Sequence, residues 1–136
     1  EQARNYWFCT TRPDGRPHSM PAWGVWVNDA LYFDGSPETR RSRNLARNAA
    51  ITVHLESGDQ VVVLEGDALE AGRPDSQLAK QLVADFERKY AASHDYHPSP
   101  NQWDNGGLWV LRPRVAFGWR DFPTSLTRWH FAQSRG

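Results

Sequence analysis

The sequence predicts a mainly β fold, a small antiparallel barrel with accessory helices, in one domain spanning residues 1–136. Three observations point to it. Short runs of aromatic and β-branched residues recur along the chain, punctuated by Gly, Pro, Asn and Asp. Helical periodicity is confined to two segments. The length of 136 residues, 39% apolar and 12% aromatic, suits one core. A sheet of six or seven strands leaves no bare edge most simply by curling on itself.

The elements follow in order. Tyr6–Thr11 reads as a strand, Pro13-Asp14-Gly15 as a turn, and His18–Val27 as a second, long strand of a hairpin. Asn28-Asp29 turns the chain into Leu31–Phe33. A short helix is expected over Glu38–Asn48, then strands over Ile51–Glu56 and Gln60–Glu70 around the turn Ser57-Gly58-Asp59. The run Val61-Val62-Val63-Leu64 is apolar on both faces, which predicts a central strand covered on both sides. Leu78, Leu82, Phe86 and Tyr90 recur every fourth residue and make Asp75–Ala92 the clearest helix. His94–Gly107 reads as a loop. Leu108–Trp119 is a strand interrupted by Pro113, which signals an edge or a bulge, and Leu126–Phe131 is the last strand. The short helix thus follows the third strand and the longer one the fifth.

Chemistry concentrates between Tyr32 and Leu45. A strand there runs out into Gly35-Ser36-Pro37, and a helix opens with Thr39, Arg40 and Arg41. Ser36 is the expected cap and Pro37 suits the first turn. Free amides, the helix dipole and guanidinium forks together favour a phosphate. The same residues also suit a merely solvated basic turn. Arg43 and Arg47, one turn apart, extend either reading.

Sixteen basic residues balance sixteen acidic ones, so no global field exists to draw nucleic acid, and anion binding has to be local. Cys9 is the sole cysteine, which excludes an intrachain disulfide and fits a reducing, cytoplasmic setting. Its aromatic-rich strand reads as burying it. No apolar run has the length of a membrane span, and the N-terminus lacks the order of a signal peptide, so no membrane partner is expected. No catalytic acid, base or nucleophile stands out. His18 reads first as a structural histidine, and His94 with His97 is too sparse for a metal site. Seven tryptophans in so short a chain favour at least one at a pocket wall.

Trp7 through the Pro-Asp-Gly turn, Pro21-Ala-Trp-Gly-Val-Trp26, the Tyr-Phe to Thr-Arg-Arg-Ser-Arg-Asn-Leu segment and Thr127-Arg-Trp-His-Phe131 occur in one order. Together they resemble the split β-barrel flavin and deazaflavin oxidoreductases, the superfamily of pyridoxamine 5′-phosphate oxidase-like proteins. The resemblance implies a homodimer of six-stranded split barrels that binds FMN or the deazaflavin F420 at the subunit interface. It implies a phosphate grip at Thr39, Arg40 and Arg41. It further implies a ring edge along Pro21 to Trp26, with Trp23 and Trp26 beside the ring, a bordering aromatic at Trp119 and a facing arginine at Arg128. The expected activity is hydride transfer to a small conjugated organic substrate; the alternatives are a non-catalytic FMN or haem carrier and a pyridoxamine 5′-phosphate oxidase. The last is disfavoured, because that enzyme's Arg-x-x-x-x-Lys pattern on the second strand is missing: no Lys or Arg occurs between Pro17 and Thr39. The family also carries a helix ahead of the position of Trp7.

Overall fold

The computed structural model describes residues 1–133. Strand β1 (Tyr6–Thr11) pairs antiparallel with β2 (Pro17–Ala22) through a turn in which Gly15, at φ 86°, takes a backbone conformation closed to most side chains. Strand β3 (Val25–Val27) returns as β4 (Ala30–Asp34) across Asn28 and Asp29, both at positive φ, the pattern of a two-residue hairpin turn. Helix α1 (Arg40–Arg47) leads to β5 (Ala50–His54) and β6 (Val61–Glu70). Helix α2 (Ser76–His94), β7 (Leu108–Trp119) and β8 (Thr127–His130) complete the described chain.

The sheet runs β2-β1-β5-β6-β7-β4-β3, with β8 off this path on β7. Its two borders, β2 and β3, are consecutive in the chain. The sequence reads them as one strand, His18–Val27, whereas the structure bends that strand at Trp23-Gly24 and lets its halves border opposite ends of the sheet. The bend has a steric reason: a Cβ on Gly24 would come within 3.1 Å of the Leu31 side chain and the Tyr32 carbonyl. The barrel thus closes through the covalent chain. β7 shares its second edge between β4, at Leu108–Leu111, and β8, at Val115–Gly118. The bulge signalled by Pro113 is present, since the β6–β7 register shifts between Glu65 and Gly66.

Inside the barrel lies a core built around Phe8, Leu31, Phe33, Val53, Trp109 and Leu111. A second core fills the space between α2 and the outer face of β3, β4 and the first half of β7. The apolar stripe of α2 makes it: Leu82, Phe86 and Tyr90 are fully buried, at about 1.5–3 kcal/mol each as an upper bound. Asp75 caps α2 by accepting from the Leu78 amide at 2.8 Å, and Asp95 ends it in the left-handed region.

Three further expectations are corrected. Ser36 does not cap α1: Thr39 does, accepting from the Ser42 amide, and the helix starts at Arg40. The Ser36 hydroxyl instead donates to the Glu38 carboxylate. β6 is central but not covered on both sides, as Val62 is 38% exposed and Val61 and Val63 are half-buried. Cys9 is half-buried rather than enclosed, with its sulfur accepting from Ser19.

Candidate functional site

The N-terminus of α1 sits where β4 leaves the barrel. Gly35 makes this junction tight, because a Cβ there would lie 2.8 Å from Ser42 Oγ and 3.1 Å from the Trp109 ring. Past Gly35 the exposed residues Ser36 to Arg40 form a rim. Glu38, the one carboxylate in it, turns onto Ser36, and that bond together with Arg43 holds its carboxyl below the usual range.

Arg40 and Arg41 part company. Arg40 is exposed on the rim. Arg41 turns inward, with its guanidinium 4.9 Å from the Phe8 ring centre and 5.1 Å from that of Phe33, donating to the Asp34 carbonyl at 2.6 Å. Its Nε–H is buried without a partner. Consecutive helix positions are about 100° apart, so two adjacent arginines cannot present the same face.

A histidine joins them. His18 of β2 faces Thr10 in register, and its charge environment is set by Arg12, Arg40 and Arg41. Burial first, then these cations, hold its imidazole below the ordinary value of 6.5. His18 Nδ1 is also buried without a partner. What sequence reading missed is therefore the pairing of His18 with the α1 rim, which becomes visible only when α1 packs against the expected β1–β2 hairpin. Three arginines and a histidine, with Arg41 Nε and His18 Nδ1 among them buried and unpaired, fit a phosphate group.

The other expected site residues lie elsewhere in the chain. Pro21 is exposed on β2 opposite Trp7. Trp23 packs under α2, stacked on Tyr90 at 4.7 Å with the edge of Tyr96 at 5.5 Å. Trp26 joins Tyr6, Leu64, Ala116, Trp129 and Phe131 around a groove of about 990 Å³ at the barrel mouth. Trp119 stands against Phe122 at 5.8 Å with its Nε1–H unpaired, and the exposed Arg128 lies 4.9 Å over Phe117. Within one chain the structure gathers Thr39, Arg40 and Arg41 and leaves the remaining five dispersed. His97 pairs with Asp95 and Glu87 at 3.1 and 3.6 Å, and no cluster of three or more metal-ligating side chains occurs among the described residues. No helix among them is long and apolar enough to cross a membrane.

The family model described as pyridoxamine 5′-phosphate oxidase matches residues 1–120. The chain belongs to that family, and its fold is the split barrel of pyridoxamine 5′-phosphate oxidase-like proteins. Among solved structures, a haem-binding protein from Mycobacterium smegmatis superposes with a TM-score of 0.71 at 18% identity over 95% of this chain. The chain spans about half of that protein, 53%. An F420 reductase matches with a TM-score of 0.63 and 20% identity, over 85% of this chain and 90% of that one. A haem storage protein from Vibrio cholerae matches with a TM-score of 0.63 and 20% identity, over 82% of each chain. No curated protein matches in sequence.

Proposed function

We propose that the chain is an oxidoreductase that binds F420 or FMN by its phosphate at the α1 rim and serves hydride transfer to a small conjugated organic substrate. The observation that carries this reading is the cationic rim itself: Arg40 and Arg41 open α1 behind its Thr39 cap, and the charges of Arg12, Arg40 and Arg41 all act on His18, in a chain of zero formal net charge. The redox chemistry belongs to the cofactor. The chain's residues bind and orient it: Thr39 fixes the start of α1, Arg40 supplies an exposed charge at the rim, and Arg41 holds a second one packed on Phe8 and Phe33. A homodimer fits the same reading. Trp129 is 50% exposed, Phe117 and Trp119 are half-buried, and a partner chain would exclude water from this wall and bring the dispersed residues Trp119 and Arg128 toward a second rim.

The test is fluorescence or absorbance titration of the protein with FMN and with F420. Binding of one at micromolar concentration is expected, and Arg40→Ala should weaken it at least tenfold by removing a charge-assisted bond. A folded Arg40→Ala protein with unchanged affinity sinks the anchor.

A non-catalytic haem carrier is the second reading, and His54 favours it. Its Nδ1 lies 2.8 Å from the Leu55 carbonyl, an acceptor, so that nitrogen carries the proton and Nε2 keeps a free lone pair. The ring borders the groove at the barrel mouth. A Soret band lost in His54→Ala, with no turnover of reduced FMN or F420, decides for the carrier.

A further inference from the structure

Four buried side-chain polar atoms lack a hydrogen-bond partner among the described residues, and three of them belong to one neighbourhood: His18 Nδ1, Arg41 Nε and Asn44 Oδ1. Asn44 is 0% exposed and gives its amide to Thr10 Oγ1 at 3.0 Å. Thr10 faces His18 in the β1–β2 register. Arg41 precedes Asn44 by three residues on the same face of α1, and its guanidinium covers Phe8, two residues before Thr10 on the same face of β1. Buried polar groups are rarely left unpaired; Asn44 Oδ1 is an acceptor that an anion cannot serve, but His18 Nδ1 and Arg41 Nε at a cationic rim mark a place where an accepting ligand group completes the bonding.

We propose that His18 is the proton-accepting member of the anion site: a phosphate ester entering the rim bonds to its imidazole, which takes up one proton from solvent on binding. This rests on reading the rim as a phosphate site. The charges facing His18 are Arg12 from the β1–β2 turn and Arg40 and Arg41 from α1, while Thr10 and Asn44 beside it are neutral. In the free protein burial, and then these cations, lower the imidazole's pKa below 6.5 and so favour its neutral form. A phosphate dianion cancels the repulsion and accepts a bond from the protonated ring, so the bound state holds the extra proton. Affinity then declines as pH rises above neutrality, where the ligand itself no longer titrates, a phosphomonoester having its second pKa near ~6.

Calorimetric titration with FMN at pH 7, in buffers of different ionisation enthalpy, counts the proton. Uptake of about half a proton or more is expected, with affinity dropping about twofold or more between roughly pH 7 and 8.5, and both effects absent in His18→Gln. An NMR titration of the His18 ring in the unmodified protein is the companion measurement; added inorganic phosphate should move its midpoint upward. FMN binding without proton uptake, or uptake that persists in His18→Gln, or a midpoint that phosphate leaves in place, overturns the role of His18 and spares the anchor. A protein that binds none of FMN, F420 and inorganic phosphate overturns the anchor and this proposal together.

Discussion

Arg40 and Arg41 are adjacent in sequence and have different jobs. Arg41 stacks on two core rings and bonds a strand-end carbonyl, so Arg41→Ala should cost about 2–3 kcal/mol of folding stability. Arg40→Ala, on the exposed rim, should leave stability within about 0.5 kcal/mol. Urea denaturation of the two variants checks the split, and equal losses would refute it. Lys89 offers a pH test at the same scale. It donates to the Gly24 carbonyl at 2.7 Å and the Tyr6 hydroxyl at 3.0 Å, and burial lowers its pKa from 10.5 to about 8. Between those values the unfolded chain binds more protons, so stability should rise with pH from about 8 toward 10. Burial raises the Tyr6 and Tyr90 hydroxyls, Tyr90 to about 12, so above roughly pH 10 the unfolded chain loses these protons first and stability should fall again. Denaturation midpoints across this range, with Lys89→Met expected to lack the rise, check the sign. The Arg40-Arg41 pair was legible in the sequence; the inward turn of Arg41 was legible only through helix geometry, and the parts of Arg12 and His18 depended on how α1 packs against the β1–β2 hairpin.

At the scale of elements, the sequence revealed most where one periodicity had one solution. β1 and β7 lie over the residues their patterns predict, and α2 (Ser76–His94) begins and ends within two residues of the predicted Asp75–Ala92. α1 was harder because Ser36 and Thr39 are both competent caps. Glu38 decides between them by engaging the Ser36 hydroxyl, which frees Thr39 for the Ser42 amide. Thr39→Ala should therefore cost about 1 kcal/mol and loosen FMN binding, whereas Thr39→Ser should retain both; Ser36→Ala should leave the helix intact. Thermal melts with a parallel FMN titration check this, and a larger loss for Ser36→Ala would reverse the assignment. The bend between β2 and β3 had no local signal beyond Gly24, because α2 holds it from a distance. Tyr90 donates to the Arg4 carbonyl at 2.6 Å and accepts from the Gly24 amide at 3.1 Å.

For the whole molecule, the apolar run of β6 predicted cover on both sides, and the single chain supplies it only in part: Leu64 is buried, Val61 and Val63 are half-buried and Val62 is exposed. That shortfall is the physical argument for a second copy. Sedimentation at micromolar concentration should show a dimer, and Phe117→Asp, which places a charge on the uncovered wall, should shift it to monomer. A wild-type monomer at that concentration would remove the shared-site reading. The joining of both sheet borders through Trp23-Gly24 also governs how this protein meets its own kind. β2 carries Pro17 and Pro21, which offer no amide to a newcomer, and the seam beside it is tied down by Lys89 and Tyr90. Fibrils that grow by recruiting strands onto a bare border have little to template on there, so molecules that associate natively have to meet face to face across the barrel wall.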